Sequence, residues 1–522
     1  MTRVSANLTR SATPSTTRRA DALDALRGFA ILTMALSGMI PHGMQPSWTD
    51  HLPAWMYHAQ KPPPIHEFDP TLSGLTWVDL VFPFFLFSMG AAMPLAMARR
   101  LAKGTRAWHL AGYALRRGLL LLAFALYVEH LNPWLIDSSP GTRTWWLALL
   151  GFALLFPALA RLPRTWNRAW IRAVRVLGWG GGFLLLGLIG YADGGGLSLD
   201  WHSFDAALQD INIIAGRSDI IIVVLAHTAT VGALLWLISR RNWPLRITFM
   251  LVVTACILGA EQTGWVRQVW HHSPVRSLLL LGYLKYLLIV LPGTIVGDLL
   301  LAWLDNKPLT GPFSQDSAAR RITGDAIEPA SPRWSRARHA TIALLMLGLC
   351  TLACVGLQAR WLPWTTLAAF AACALGTRLF IRARAANEVL LRQLYGWGVL
   401  WLVIGLLLEP YEGGIRKDHA TMSYYFVTSG LATFGLIFFA GVINLGGRRG
   451  LWLLIDSGKN PMIAYAGIRG LLPPVLGLTG LEAALTRWLA TPWLGVLRGL
   501  IKATLLGLMT SVFTRLKVFW RT

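Results

Sequence analysis

Residues 74–90 read GLTWVDLVFPFFLFSMG, an apolar segment with one aspartate, Asp79, near its start and one proline, Pro83, four residues later. An acid at the centre of a bilayer costs roughly 2.5 to 3.5 kcal/mol, so such acids usually line a pocket or a pathway. The polar stretch that precedes this segment contains four histidines, which are His42, His51, His58 and His66. An acid inside a membrane segment, next to a loop rich in histidine, indicates chemistry at the membrane surface.

The composition of the whole chain favours a membrane protein. Of the 522 residues, 54% are hydrophobic and 14% are charged, whereas about a quarter of the residues in soluble domains are charged. The net charge of +23 is concentrated in short basic links between apolar segments. That distribution follows the positive-inside rule, so the expected partner is a lipid bilayer and not nucleic acid. The four cysteines all lie in apolar segments without metal-ligand spacing to histidine, and neither a disulfide nor a metal is expected.

Apolar segments of about 20 residues, long enough to cross a bilayer core of about 30 Å, recur along the chain. They predict an all-α, polytopic helical membrane protein with about 12–14 transmembrane helices. Placing the basic links in the cytoplasm puts both termini inside. The predicted parts are a disordered tail (1–20), an N-terminal transmembrane half (21–304) with an outside loop (42–74), a cytoplasmic linker (305–339) and a C-terminal transmembrane half (340–522).

Polar residues stand out at three further places. The outside loops 192–218 and 409–423 carry several charged residues, although external loops are polar by default. Within the segment 277–304, Lys285 and Asp298 are 13 residues apart, about 20 Å along a helix, and cannot pair with each other. Each is expected either to have another partner or line a cavity, or to lie near a membrane boundary with its charge reaching water.

The first apolar segment opens with DALDALRG, in which Asp24 and Arg27 are spaced to pair on one helix face. Acids in the first turn also stabilise a helix through its dipole. The arginine, one turn deeper, has two interpretations. It is either part of a stabilised helix start or a ligand for a phosphate-bearing molecule from the cytosol.

Near the C-terminus, Gly458, Lys459 and Asn460 interrupt an apolar stretch just before Pro461. Proline disfavours helix at the residue before it, so a helix break is predicted here. One interpretation is a simple turn between two half-helices. The other is a site for a cofactor phosphate or thioester, because helix N-termini at membrane depth can hold anions.

Three motifs occur in order along the chain: DALRGFAILTMALSG, GLTWVDLVFPFFLFSMG and SGKNPMIAY. Together they resemble the heparan-alpha-glucosaminide N-acetyltransferase family and its bacterial relatives. Members of that family are multi-span membrane enzymes that use cytosolic acetyl-CoA to acetylate an amino sugar on the far side of the membrane. The resemblance covers both ends of the chain, and the middle third matches only in hydropathy. The long first loop points to a bacterial branch, which implies the bacterial inner membrane.

The resemblance also implies roles for individual residues. The family has a central histidine shortly before the GxTxxD block, usually followed by alanine, and His58 has that context. His66 lies closer to the block and stays a second candidate. Asp79 would orient or polarise the histidine. The family's catalytic asparagine near the outer end of the first helix corresponds to Gly38, so that residue is missing here.

Residues and resemblance together predict a membrane acyltransferase that moves an acetyl group from cytosolic acetyl-CoA to an amino sugar or glycan on the periplasmic side. A histidine can take the proton of the acceptor amine or accept the acetyl group itself. Arg27 and the turn at Gly458, Lys459 and Asn460 would hold the donor.

Two other functions stay open. One is a transporter of sugars or lipid-linked saccharides whose path includes Asp79, Lys285 and Asp298. The other is a non-catalytic relative that only binds a glycan. The oligomeric state also stays open, a homodimer included.

Overall fold

The computed structural model describes residues 20–41, 52–163, 165–192, 214–275, 278–309, 312–313 and 334–520. Within these ranges the chain is α-helical and contains no β-strand, which confirms the all-α prediction. The predicted tail, except for Ala20, and most of the predicted linker lie outside the described residues. His42 and His51 lie outside them as well.

Up to residue 304, the described helices are α1 (Asp21–Ser37), α2 (Trp77–Ala102), α3 (Ala107–His130), α4 (Pro133–Ile136), α5 (Thr142–Leu159), α6 (Arg168–Leu188), α7 (Ile220–Ser239), α8 (Trp243–Glu261), α9 (Trp265–His271) and α10 (Leu287–Leu304). Two 3₁₀ turns, Ala54–Met56 and Leu281–Tyr286, precede α2 and α10.

The second half contains α11 (Arg336–Gln358), α12 (Leu362–Thr377), α13 (Ala386–Tyr411), α14 (Met422–Asn444), α15 (Trp452–Lys459), α16 (Pro461–Gly470), α17 (Leu472–Leu478), α18 (Leu481–Trp488) and α19 (Pro492–Arg515). Its 3₁₀ turns are Arg378–Phe380 and Gly447–Arg449.

Eleven helices in the described residues are long and apolar enough to cross a membrane, or twelve if the bent pair α16 and α17 forms one span. The chain is therefore a multi-pass membrane protein. The sequence prediction extends to more spans for two reasons. Two of its segments, α1 and α12, are apolar helices of only 17 and 16 residues. Its segment near residue 453 is divided into short helices at prolines, which cannot continue a helix hydrogen-bond ladder.

The spans differ in how much of their surface lies inside the protein. The apolar window of α2 is 83% buried, and those of Leu281–Leu304 and α14 are 72% buried. The corresponding share for α6 and α8 is only 22%. Lipid tails are as apolar as leucine, so the outer helices can expose such side chains without penalty. The centre of the protein therefore contains α2, α10 and α14, with α6 and α8 at its periphery.

The two charges of the segment 277–304 have separate surroundings. Asp298 forms an ion pair with the buried Arg246 of α8, with Nη2 and Oδ2 2.5 Å apart. The indole Nε1–H of Trp236 also donates to Asp298 over 3.1 Å. Lys285 lies instead near Asp418, close enough for the two charges to interact. Lys285 and Asp298 therefore do not pair with each other, as predicted, and each has a different neighbour of opposite charge.

Candidate functional site

The site is built around the first turn of α2. Asp79 is the third residue of that helix, and its Oδ2 accepts a hydrogen bond from the Thr76 N–H over 3.0 Å. A carboxylate at this position satisfies an N–H group that the helix itself leaves free. The same oxygen accepts the Ala59 N–H over 3.2 Å, so the aspartate also holds the preceding loop. Its side chain is 1% exposed, and its second oxygen, Oδ1, makes none of these hydrogen bonds.

That second oxygen faces His58. The imidazole Nε2 lies 3.3 Å from Asp79 Oδ1 and 3.3 Å from Asp418 Oδ2. The ammonium of Lys417 is 2.9 Å from the same ring nitrogen. The His58 side chain is 14% exposed, so one histidine nitrogen lies between two carboxylates while the ring remains accessible.

Hydrogen-bond donors lie at both ring nitrogens of His58. The Gln60 N–H donates to Nδ1 over 3.2 Å, which requires a lone pair on Nδ1 and puts the proton of the neutral ring on Nε2, facing the two carboxylates. The Lys417 ammonium can only donate, so its 2.9 Å contact with Nε2 belongs to the other tautomer, with the proton on Nδ1. Each ring nitrogen is therefore the basic one in one of the two tautomers.

The second carboxylate comes from the loop between α13 and α14. Burial on its own would raise the pKa of Asp418, but its hydrogen bond with His58 and the charges of Lys417 and Lys285 outweigh burial and lower the pKa. Asp418 is therefore ionised at neutral pH, and it stabilises positive charge on the His58 ring.

Hydrogen bonds from a side chain and from the backbone join this loop to the His58 loop. The Gln60 side chain accepts the Asp418 N–H over 2.9 Å and donates its own Nε2–H to the Asp418 carbonyl. The Gly74 N–H donates to the Ile415 carbonyl over 2.9 Å. At the start of α14, Glu412 accepts two backbone N–H groups over 2.6 and 2.7 Å. Asp418 is thus positioned by the main chain on both sides.

Tyrosines from the centre of the protein lie beneath the site. The Tyr424 hydroxyl donates to the backbone carbonyl of Asp79 over 2.8 Å, linking α14 to α2. The rings of Tyr286 and Tyr425 meet edge to face at 5.7 Å. The buried Tyr425 hydroxyl has no hydrogen-bond partner within the described ranges, so it is a polar group that a ligand can engage.

The two candidate histidines are in different positions. His58 lies beside Asp79, whereas the His66 ring packs edge to face on Tyr57 at 4.4 Å. The structure therefore brings together two of the three predicted catalytic residues. Asp418 and Lys417 also belong to the site, and sequence reasoning did not assign them to it. The sequence of a polar outer loop does not show which of its charged residues contacts a residue more than 300 positions away.

The predicted donor-binding residues cluster elsewhere, around the crossing of α1, α2 and α15. Arg27 donates to the Gly458 carbonyl and to the Ser88 carbonyl, each over 3.1 Å. It also pairs with Asp24 at 3.5 Å. The guanidinium is thus committed to three helices of the protein, which supports the interpretation of a stabilised helix start.

The turn that follows Gly458 has both structural and unsatisfied groups. A Cβ atom on Gly458 would lie 1.8 Å from the Asp24 carbonyl oxygen, so only glycine allows α15 to approach α1 here. Lys459 pairs with Asp456 at 3.3 Å, and Asn460 Nδ2–H donates to the Val518 carbonyl over 2.7 Å. The predicted break at Pro461 is confirmed, since α16 begins there.

Two oxygen atoms in this turn have no hydrogen-bond partner among the described residues. They are Asn460 Oδ1 and Ser457 Oγ, and both side chains are buried. Ser88, which Arg27 contacts, is nine residues after Asp79 on α2, or about 14 Å along the helix. The donor-binding role of Arg27, Gly458, Lys459 and Asn460 stays a prediction.

Residues 19–300 match a family model described as a domain of unknown function (DUF5009). The matched range includes α1, the His58 loop, α2 and Lys285, and it ends before the Asp418 loop and the turn at Gly458. A comparison with curated proteins finds no match to the chain.

Proposed function

The chain belongs to the DUF5009 family, whose model matches more than half of it, and we propose that it is a membrane acyltransferase of the heparan-alpha-glucosaminide N-acetyltransferase kind. In this proposal an acetyl group passes from cytosolic acetyl-CoA to an amino sugar or glycan on the other side of a bacterial inner membrane. One observation carries the proposal: an accessible histidine whose Nε2 lies 3.3 Å from each of two carboxylates, at the end of the most buried span.

The chemistry requires a neutral amine, because a protonated amine has no lone pair with which to attack. In the proposed step the acceptor nitrogen attacks the thioester carbonyl, the C–N bond forms and the C–S bond breaks. His58 takes the proton that the amine loses and passes it to the leaving thiolate, which departs as free thiol. The imidazolium that forms is stabilised by Asp79 and Asp418, in the way that a carboxylate supports the histidine of a catalytic triad.

Direct transfer and transfer through an acetylated histidine use the same groups. In the second route the His58 nitrogen attacks the thioester first and then passes the acetyl group to the amine. Asp79 acts as a positioning residue in both routes, since its Oδ2 is held by the Thr76 and Ala59 N–H groups while Oδ1 faces the ring.

The crossing of α1 and α15 supports the donor end of the proposal. The unpartnered oxygens of Ser457 and Asn460 can accept hydrogen bonds from the amide groups of a pantetheine arm. Lys459 supplies a cation nearby for a phosphate. Arg27 holds this turn in place through the Gly458 carbonyl.

The test is acetyl transfer by the purified full chain in a neutral detergent. Isotope-labelled acetyl-CoA is supplied with a panel of glucosamine-type acceptors, including lipid-linked ones, and acetylated products are detected by mass spectrometry. Labelled product that depends on His58 supports the proposal. The absence of acetyl-CoA binding at millimolar concentration would overturn it.

A transporter is the competing proposal, and the same preparation separates the two. Vesicles containing the protein would then accumulate an unmodified sugar without acetyl-CoA. The path drawn from the sequence joined Asp79, Lys285 and Asp298, but Asp298 is engaged by Arg246 and Trp236. That pairing removes one step of the path and favours the enzyme.

A further inference from the structure

A second polar site lies beyond the loop that carries His58. It is a cavity of about 720 Å³, a volume in the range of small-molecule sites. Its apolar wall comes from the last turns of α1 and from α17, with Met34, Met39, Leu472 and Leu476 among the lining residues. Trp134 and Trp145, which meet edge to face at 5.8 Å, line another part of it.

Charged side chains line the rest of the cavity, and most of them are engaged. Lys502 pairs with Glu482 at 2.5 Å, and Arg469 pairs with Glu129. Asp219 accepts the Tyr465 hydroxyl, with oxygen–oxygen distances of 2.7 and 2.9 Å. Each of these groups has its partner within the protein.

Arg498 is the exception. It lines the cavity, and it has no ion pair or hydrogen bond with any described residue. It lies six residues after the start of α19, which is about 9 Å along a candidate membrane span. An arginine at such a place is costly unless it has a partner or reaches water, and a guanidinium binds phosphate through two parallel hydrogen bonds.

We propose that this cavity binds an amphiphilic phosphate, with Arg498 holding the phosphate and the wall of α1 and α17 receiving the adjoining alkyl or isoprenyl chain. The cavity is next to the first site, since the Tyr57 hydroxyl donates to the Pro41 carbonyl over 2.6 Å and Pro41 lines the cavity. Tyr57 directly precedes His58. The additional step, that this amphiphile is the acetyl acceptor, rests on the proposed function.

The binding test needs no acetyl-CoA. Decyl phosphate, below its micelle concentration, is titrated by calorimetry into the full chain in a neutral maltoside detergent. Inorganic phosphate and decanol are titrated in parallel. Tighter binding of decyl phosphate than of either half-ligand supports the proposal. If inorganic phosphate binds as tightly as decyl phosphate, the site is one for free phosphate. If decanol binds as tightly, the phosphate group contributes nothing to binding. Either result would overturn the proposal of an amphiphilic phosphate.

Arg498→Gln is expected to weaken decyl phosphate binding about tenfold or more, because it removes a charged hydrogen-bond donor. Arg498→Lys should retain part of the affinity. The matched control is Arg487→Gln, which changes an exposed arginine that does not line the cavity. Unchanged binding in Arg498→Gln would mean that this side chain only extends to water, and the proposal would fail.

Gly38→Leu tests the apolar wall separately. Gly38 lines the cavity, has a helical φ of −77°, and a Cβ there would have only an ordinary 3.7 Å contact with Ala35 O. The larger side chain should therefore fit the fold and obstruct the cavity, so that decyl phosphate binding falls with the thermal midpoint unchanged. If decyl phosphate binding is lost while acetyl transfer to soluble sugars is intact, the cavity is a binding site that the proposed acetyl transfer does not need. If transfer is lost while decyl phosphate still binds, the apolar wall is not the binding surface for the alkyl chain, and this part of the proposal fails.

Discussion

The two places that the sequence singled out, the first turn of α2 and the start of α1, use their charged residues in different ways. Asp79 satisfies backbone N–H groups with one oxygen and presents the other to His58. Arg27 directs its guanidinium to the carbonyls of Gly458 and Ser88 and to Asp24. A charged residue in a membrane helix is a stronger functional candidate when the fold leaves part of its bonding capacity free.

The largest expected effect comes from His58→Ala. Loss of a general base typically lowers the rate 10²- to 10⁴-fold, so acetyl transfer should fall by about 100-fold or more. The thermal midpoint should also fall, because the buried Asp79 Oδ1 loses the group it faces, so transfer is measured below the midpoints of both proteins. His66→Ala is the matched control, and a larger loss in that variant than in His58→Ala would reverse the assignment of the two histidines.

Next in size is Gly458→Ala, which tests the crossing of α1 and α15. Its Cβ would lie 1.8 Å from the Asp24 carbonyl oxygen, so the helices must separate, at a cost of about 1–3 kcal/mol. The effect is measured as a lower thermal midpoint in detergent. Gly348→Ala, at an open position of α11, is the control and should be neutral or slightly stabilising. Similar destabilisation of both variants would contradict the close approach.

Arg27→Ala has a smaller expected effect, and it tests whether Arg27 stabilises the fold or binds the donor directly. Two buried carbonyls would lose a charged donor, and the free energy of unfolding should fall by about 1–3 kcal/mol. The affinity of the folded protein for acetyl-CoA should change less than that of Lys459→Ala. Calorimetry and thermal unfolding on the same preparations check this; weaker acetyl-CoA binding at an unchanged midpoint would make Arg27 a direct ligand instead.

The smallest effect concerns pH. Asp418 has a lowered pKa in the folded protein, so it contributes stability that is fully present above the ordinary value of about 3.9 and is lost as the pH falls through the folded value. Between pH 7 and 5 the wild type and Asp418→Asn should therefore show a constant difference in thermal midpoint. The difference should shrink only at more acidic pH; a difference that already disappears between pH 7 and 5 would contradict the lowered pKa of Asp418.

Sequence reasoning predicted what depends on local patterns. The helical class and the break at Pro461 follow from hydropathy and from proline geometry, and Asp79 was singled out by its place in an apolar segment. Sequence reasoning did not assign Asp418 to the site or pair Asp298 with Arg246, because both contacts depend on which helices pack together. The spacing to the GxTxxD block left His58 and His66 open, and the structure brings His58 to Asp79 through a loop held by Ala59 and Gln60.

The capping of Asp79 also has a consequence for how the protein is made. Asp418 is synthesised 339 residues after Asp79, a delay of roughly 20 to 70 s at common rates of translation. During the first part of that interval α2, the span that ends up most enclosed, has neither α10 nor α14 around it, and α14 is made only after Asp418. The N–H groups of Thr76 and Ala59 are available to the aspartate from the start, since they precede it in the chain. Asp79 therefore already has hydrogen-bond donors for one carboxylate oxygen before the second half of its site has been synthesised.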